Sequence, residues 1–183
     1  SRTAQELFIP LTVAGGIRNL DDIRAALLAG ADKVAINTAA VRRPALIAEA
    51  AQRFGSSTIV VSIEAKRRRG GYEAYVDAGR EPGGRDAIEW AREAAGLGAG
   101  EILVTSVDRD GTGQGFDLDL VGAVAAEVDV PVIAGGGAGC PADVVDALVT
   151  ARADAVAVGS MLHYAALDAV VARRSVPEGA ELA

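Results

Sequence analysis

Short apolar runs alternate with helical segments along almost the whole chain, and this alternation restricts the possible folds more than any other feature. The predicted strands lie at 8–14, 33–37, 58–64, 101–106, 132–135 and 154–159, and the predicted helices at 19–28, 44–54, 86–97, 118–128, 142–150 and 167–173. Repeated strand–helix units with short connections predict a parallel sheet with right-handed crossovers. The fold class is therefore α/β, either a barrel or an open doubly wound sheet.

The alternation is interrupted once, after the third strand. Residues 66–76 have the pattern of a hairpin that turns at Gly70 and Gly71, and the basic run 67–69 within it is expected to lie on a solvated edge. A polar, glycine-rich loop at 108–115 follows the fourth strand.

An internal repeat favours the barrel. The segment 10–17 matches 131–138 at an offset of about 121 residues, and 31–38 matches 153–160 at an offset of about 122. Units one and two therefore correspond to units five and six. Two equivalent halves would hold four units each, so the repeat predicts a barrel of eight units, of which residues 1–183 form a single partial domain that lacks the first two.

The composition restricts the partners. Half of the 183 residues are hydrophobic but only 4% are aromatic, so an aliphatic core is expected. The formal net charge of −7 argues against nucleic acid and against an anionic membrane as partners. One cysteine, Cys140, and one histidine, His163, exclude an internal disulfide and a His/Cys metal cluster. No apolar run approaches the roughly 20 residues of a membrane span, and a cytoplasmic location is expected.

Glycines follow two of the predicted strands, at 15–16 and at 135–137. Glycine allows close approach of the backbone to a ligand, and free N–H groups at the start of a following helix favour an anion. These turns therefore predict phosphate binding. The alternative is a tight strand-to-helix turn that binds nothing.

Five segments carry a specific family resemblance. The chain resembles the cyclase subunit of imidazole glycerol phosphate synthase, a HisF-type barrel of histidine biosynthesis. The matching segments are Phe8–Ile17, Ala31–Val41, Gly98–Leu103, Thr105–Thr112 and Ile133–Gly139. The resemblance implies a (β/α)₈ TIM barrel with its active site at the carboxyl ends of the strands.

The resemblance also implies a small-molecule substrate with a phosphate at each end, and no cofactor. One phosphate is expected on Gly16, Asn37 and Thr38. The other phosphate is expected on Asp110, Gly111, Gly136, Gly137, Gly159 and Ser160, and Thr105 is a further binding residue that the resemblance implies. For Asn37 and Thr38 the alternative is an ordinary helix cap.

The implied chemistry is acid–base catalysis. Ammonia adds to a ribulosyl-type nucleotide (PRFAR), an imidazole ring closes, and an aminoimidazole carboxamide nucleotide (AICAR) leaves. The family uses two aspartates, of which the first falls in the absent units and the second falls on Glu64. Glutamate in place of aspartate moves the carboxylate by about one methylene. The alternatives are a HisA-type phosphosugar isomerase and an inactive fragment or decayed copy.

Charged residues precede two strands at the opposite rim. Asp32, Lys33 and Glu101 match positions where the family docks a glutaminase subunit and admits ammonia through a charged gate. The resemblance therefore implies a heterodimer with a glutaminase. The alternative for Lys33 and Glu101 is a surface salt bridge.

Overall fold

Six parallel strands of one sheet follow one another in sequence order. The computed structural model describes residues 6–164, so the helix predicted at 167–173 lies outside the described residues. The parallel strands are β1 (Thr12–Ala14), β2 (Lys33–Ile36), β3 (Ile59–Arg68), β6 (Glu101–Ser106), β7 (Val132–Gly135) and β8 (Ala155–Ala157), and they are neighbours in that order. A doubly wound sheet would reverse this order at a switch point. The described residues therefore form part of a (β/α)₈ barrel, as predicted.

Helices connect the parallel strands. They are α1 (Leu20–Leu28), α2 (Thr38–Arg42), α3 (Ala45–Phe54), α4 (Ala87–Gly96), α5 (Leu118–Glu127) and α6 (Pro141–Val149). Helix α1 begins at the predicted cap, since Asn19 Oδ1 accepts hydrogen bonds from the N–H groups of Asp21 and Asp22. Helix α2 was not predicted, because its five residues are too few to show a helical period.

The strands bury one face under the helices and present the other to a cavity. On β3, Val61, Ile63 and Ala65 are at most 1% exposed, whereas Ser62 and Glu64 between them are half-buried and line a cavity. Full burial of an aliphatic side chain such as Ile63 stabilises the fold by about 1.5–3 kcal/mol. The buried face is aliphatic, as the composition predicted.

The internal repeat extends to individual hydrogen bonds. Asp32 Oδ2 accepts from the N–H of Leu11 at 2.8 Å, and Asp154 Oδ2 accepts from the N–H of Val132 at 2.8 Å. In both pairs an aspartate just before one strand, β2 or β8, accepts a hydrogen bond from the start of the neighbouring strand, β1 or β7. The carboxylate of Asp32 therefore supports the sheet.

A second pair of contacts repeats at the helix starts. Asp22 Oδ2 accepts from the N–H of Arg18 at 2.9 Å, and Asp143 Oδ2 accepts from the N–H of Gly139 at 2.8 Å and of Cys140 at 2.9 Å. The two halves thus share side-chain contacts at equivalent positions. The similarity between the segments is therefore structural, not a chance match of glycine-rich turns.

The interruption after β3 is larger than the predicted hairpin. Strand β3 runs on past Glu64 and pairs with β4 (Gly71–Val76), which pairs with an additional antiparallel strand, β5 (Glu81–Asp86). The sequence of β5 contains Pro82, Gly83 and Gly84 and carries no strand signal. It forms against β4, where a Cβ on Gly83 would lie 2.7 Å from the carbonyl oxygen of Ala74.

The basic run is exposed, as expected for a solvated edge, but the side chain of Arg67 also makes specific contacts. Its Nη2 donates to Asp117 Oδ1 at 3.1 Å and to Asp119 Oδ2 at 3.0 Å, and its guanidinium lies 4.7 Å from the ring centroid of Tyr72. The Tyr72 hydroxyl donates to the same Asp117 oxygen at 2.9 Å. These contacts fasten the β3–β4 hairpin to the start of α5.

The two outer strands carry exposed apolar residues near them. Strand β1 is shorter than the predicted 8–14, and Phe8 before it is fully exposed. Leu28 beside this edge is 78% exposed, and Val149 near β8 is 73% exposed. No helix among residues 6–164 is both long enough and apolar enough to cross a membrane.

The Asp143 cap provides a test of the α6 start. The N–H groups of Gly139 and Cys140 hold the pKa of Asp143 below its usual value. A depressed native pKa contributes stability above the unfolded-state pKa and loses it as pH falls through the native pKa. We expect Asp143→Ala to lower the free energy of unfolding by about 1 kcal/mol at pH 7, and by less near pH 3, in urea titrations. The control is Asp146→Ala on the same helix, and equal losses for both would contradict the cap.

Candidate active site

Two groups outside the strands hold the Glu64 carboxylate, one directly after β2 and the other between β4 and β5. Asn37, which directly follows β2, donates from Nδ2 to Glu64 Oε2 at 2.9 Å and to the carbonyl oxygen of Tyr75 on β4 at 3.2 Å. The N–H of Gly79 also donates to the Glu64 carboxylate. Both hydrogens of the Asn37 amide are therefore used to place Glu64 against the hairpin.

One cavity of about 300 Å³ contains the first group of predicted residues. Gly16, Asn37, Thr38 and Glu64 all line it. The other lining residues are Ala14, Gly15, Ile17, Ala35, Ser62, Asp77 and Ala78. The structure thus brings the predicted catalytic carboxylate and the first predicted phosphate group to one place, although the sequence separates Gly16 from Glu64 by 48 positions.

Two polar atoms in this cavity have hydrogen-bonding capacity that the described residues leave unused. Thr38 Oγ1 accepts from the N–H of Asp77 at 3.0 Å, so its own hydrogen can be donated to a ligand. Asn37 Oδ1 is buried and has no partner among residues 6–164. An unpaired buried acceptor is unfavourable, and a donor on a ligand or a water molecule would satisfy it.

The environment of Glu64 raises the pKa of its carboxyl group. Burial is the largest cause, and the nearby carboxylates of Asp110 and Asp77 raise the pKa further. The hydrogen bonds from Gly79 and Asn37 act in the opposite direction, because they stabilise the ionised form. The net shift is upward, which is the direction needed for a group that exchanges protons nearer to neutral pH.

A second cavity of about 540 Å³ adjoins the first and is lined by three arginines. It shares Gly16 and Thr38 with the first cavity. Arg43 is paired with Glu49 at 2.9 Å, and Arg42 approaches Glu81 only to 3.8 Å with both side chains exposed. The arginine at position 18 also lines this cavity, and its guanidinium has no hydrogen-bond or ion-pair partner among the described residues.

The residues predicted to bind the second phosphate lie in two neighbouring sets. Gly111 and Ser160 line one cavity of about 400 Å³. Gly136 lies beside Thr105 and Asp110, since a Cβ on Gly136 would be 3.1 Å from Thr105 Cγ2 and 3.3 Å from Asp110 Cβ. Gly137 and Gly159 are not among the residues that line that cavity.

Two glycines of the 135–139 turn are required by packing. A Cβ on Gly137 would lie 2.3 Å from the carbonyl oxygen of Gly115, and a Cβ on Gly139 would lie 2.2 Å from that of Gly113. The N–H of Gly115 donates to the carbonyl oxygen of Gly137 at 2.8 Å. The absence of side chains therefore lets this turn pack against the loop at 108–115, whether or not a phosphate binds.

The charged residues predicted at the opposite rim also meet. Lys33 Nζ and Glu101 Oε1 form a partly buried ion pair between the first residues of β2 and β6. Asp32 is bound to the N–H of Leu11. The described residues contain no group of three or more His, Cys, Asp or Glu side chains that could hold a metal ion.

The turn between β4 and β5 belongs to the site but was not predicted from the sequence. Asp77 and Ala78 line the cavity of Glu64, and Gly79 donates to its carboxylate. Asp-Ala-Gly is an ordinary turn signal. Its relation to Glu64 depends on β5, whose sequence does not indicate a strand.

A partial (β/α)₈ barrel that carries a carboxylate and hydrogen-bond donors for an anion at the carboxyl ends of its strands has the architecture of a TIM-barrel enzyme. A protein-family model described as "Histidine biosynthesis protein" matches residues 1–168, and the chain belongs to this family. It is 56% identical over 164 residues to the imidazole glycerol phosphate synthase subunit HisF of Symbiobacterium thermophilum.

Two further HisF relatives give the same result. The identity is 52% over 168 residues with the subunit of Acidobacterium capsulatum and 49% over 164 residues with that of Alkaliphilus metalliredigens. The three alignments cover 89%, 92% and 89% of this chain. They cover 65%, 66% and 65% of the relatives, so the chain spans just under two thirds of their length.

The raised pKa of Glu64 predicts a specific dependence of stability on pH. An acid whose native pKa exceeds its unfolded value stabilises the fold below the unfolded pKa, and this contribution is lost as pH rises through the native pKa. We therefore expect Glu64→Gln to be more stable than the wild type at pH 7, with the difference decreasing towards pH 4. Thermal melts at both pH values measure it. A difference that does not change with pH would contradict the raised pKa.

Proposed function

We propose that this chain carries the cyclase activity of an imidazole glycerol phosphate synthase in histidine biosynthesis. The observation that carries the proposal is the placement of Glu64 by Asn37 in one cavity with Gly16 and Thr38. The identity of 49–56% to HisF subunits supports the same activity. The substrate would be the bis-phosphorylated ribulosyl nucleotide, and the products imidazole glycerol phosphate and an aminoimidazole carboxamide nucleotide. A cytoplasmic location belongs to the same proposal.

Glu64 would serve as a general acid or base in the ring closure. Ammonia addition, loss of water and cleavage from the nucleotide each require a proton to be taken or given next to the reacting carbon atoms. A half-buried carboxyl group with a raised pKa holds its proton more readily than a free carboxyl group, so it can give a proton when neutral and take one when ionised.

The two phosphates would bind at separate parts of the carboxyl edge. Gly16 and the Thr38 hydroxyl would hold one, with Asn37 contributing mainly through its hold on Glu64. Gly111 and Ser160 would hold the other, supported by Thr105, Asp110, Gly136, Gly137 and Gly159 around them. The separation of the two cavities suits an extended substrate with a phosphate at each end.

Ammonia would enter from the opposite end of the strands. We propose that a glutaminase subunit docks there, near Asp32, and that the Lys33–Glu101 ion pair lies on the route. The pair is partly buried and joins two strands of the same sheet. Its effect on ammonia passage would appear only when ammonia comes from glutamine through the partner, not when ammonium is added directly.

Turnover of the ribulosyl nucleotide with added ammonium tests the proposed function. We expect Glu64→Gln to lower kcat at least about 100-fold, which is the low end of a general acid–base contribution. Glu64→Asp, which restores the residue implied by the resemblance, should retain more activity than Glu64→Gln. The assay follows the aminoimidazole product. Turnover of only the HisA-type isomerase substrate, or equal rates for Glu64→Gln and the wild type, would contradict the proposal.

The arginine-lined cavity predicts electrostatic support for phosphate binding. A unit charge about 6 Å away in water-like surroundings contributes about 0.7 kcal/mol, or roughly threefold in affinity. We expect Arg18→Gln and Arg42→Gln each to weaken the binding of inorganic phosphate by about threefold, measured by NMR titrations of the Gly16 and Thr38 amide signals. The control is Arg92→Gln, whose side chain pairs with Glu127 at 3.5 Å on another part of the surface. An effect of the control as large as that of Arg18→Gln would contradict the prediction.

A further inference from the structure

The turn between β4 and β5 has an unusual backbone. Asp77, Ala78 and Gly79 have φ values of 53°, 57° and 71°, three consecutive residues in the left-handed region. Two of them carry side chains, which this region disfavours. A fold keeps such residues only where surrounding contacts determine the conformation.

The contacts that determine it lead to the candidate active site. The N–H of Asp77 donates to Thr38 Oγ1 at 3.0 Å, and the N–H of Gly79 donates to the Glu64 carboxylate. These N–H groups belong to alternate residues of one turn. They bind the first residue of α2 and a residue of β3.

Other contacts fix the turn from its outer side. Arg80 donates from Nε to the carbonyl oxygen of Asp77 at 2.9 Å, and its Nη2 lies 3.3 Å from Asp77 Oδ2. Gly79 faces Val107, since a Cβ on Gly79 would lie 3.1 Å from Val107 Cγ2. The turn is therefore held between the end of β6 and the cavity, and a side chain at position 79 would be strained by its positive φ and would require Val107 to shift.

We propose that Asp77, Ala78 and Gly79 are positioning residues that hold the Glu64 carboxylate and the Thr38 hydroxyl in one fixed arrangement. This inference rests on the proposed function, in which Glu64 transfers protons and Thr38 binds a phosphate. The left-handed conformation directs the N–H groups of residues 77 and 79 to these two side chains. An ordinary extended or right-handed chain would direct them elsewhere.

The variant Gly79→Ala tests the proposal. The new Cβ meets Val107 and displaces the turn, so the N–H of residue 79 moves away from Glu64. That hydrogen bond favours the ionised form, so its loss raises the pKa of Glu64. The carboxylates of Asp77 and Asp110 also raise this pKa in the wild type. The measurement is a ¹³C NMR titration of the Glu64 side-chain carboxyl group in the full chain.

A matched control separates positioning from general destabilisation. Gly70, in the β3–β4 turn, also has a positive φ, of 95°, and a Cβ there would meet nothing within 4 Å. We expect Gly70→Ala to lower the melting temperature but to leave the Glu64 pKa unchanged. In the double variant Gly79→Ala/Val107→Ala, the removed methyl groups give the Cβ room, and the Glu64 pKa should return towards the wild-type value.

The outcomes decide the proposal without an activity assay. A Glu64 pKa that rises in Gly79→Ala, stays constant in Gly70→Ala and partly recovers with Val107→Ala supports it. Equal Glu64 pKa values in Gly79→Ala and Gly70→Ala would overturn it. This result would leave the proposed cyclase function intact. A Glu64→Gln variant with full activity would instead overturn that function, but the effect of the turn on the Glu64 carboxyl group could still be measured in the Gly79→Ala chain.

Discussion

The alternation of side chains along β3 determines where the chemistry of this protein can lie. Successive residues of a strand point to opposite faces, so Ile63 and Ala65 are buried under the helices while Glu64 lines the cavity. A shift of one residue would bury the carboxyl group among aliphatic side chains and expose the apolar ones. The parallel register with β2 and β6 prevents that shift. Because it pairs Ile36 with Val61, it also brings Asn37 close to Glu64.

Much of the fold could be predicted, because the features that determine it are local and repeated. Each parallel strand is a short apolar run, and each longer helix has a cap or an amphipathic period. The repeat was visible as matched segments, and the structure shows the same aspartate contacts at Asp32 and Asp154 and at Asp22 and Asp143. The repeat thus provided a signal that a single strand or helix does not contain.

The parts that could not be predicted depend on contacts between distant segments. Strand β5 exists because β4 offers it a pairing edge, and its own Pro82 and Gly83 argue against a strand. Asn37 could be predicted as a ligand or a cap, but its two hydrogen bonds to Glu64 and Tyr75 require the hairpin to be present. Arg67 is exposed, as expected, but a run of arginines does not indicate which acidic residues at the start of α5 it pairs with.

The same dependence explains how glutamate can stand where the family resemblance implies aspartate. The longer side chain has one more rotatable bond, so it needs more contacts to be held in one position. Asn37, before Glu64 in the sequence, and Gly79, after it, supply two hydrogen bonds. Burial and the charges of Asp110 and Asp77 raise the pKa of the carboxyl group. The hydrogen bonds alone would lower the pKa, and burial alone would leave the group poorly oriented. Their combination gives a carboxyl group that is oriented and binds a proton more readily than a free glutamate does, and both properties favour acid–base catalysis.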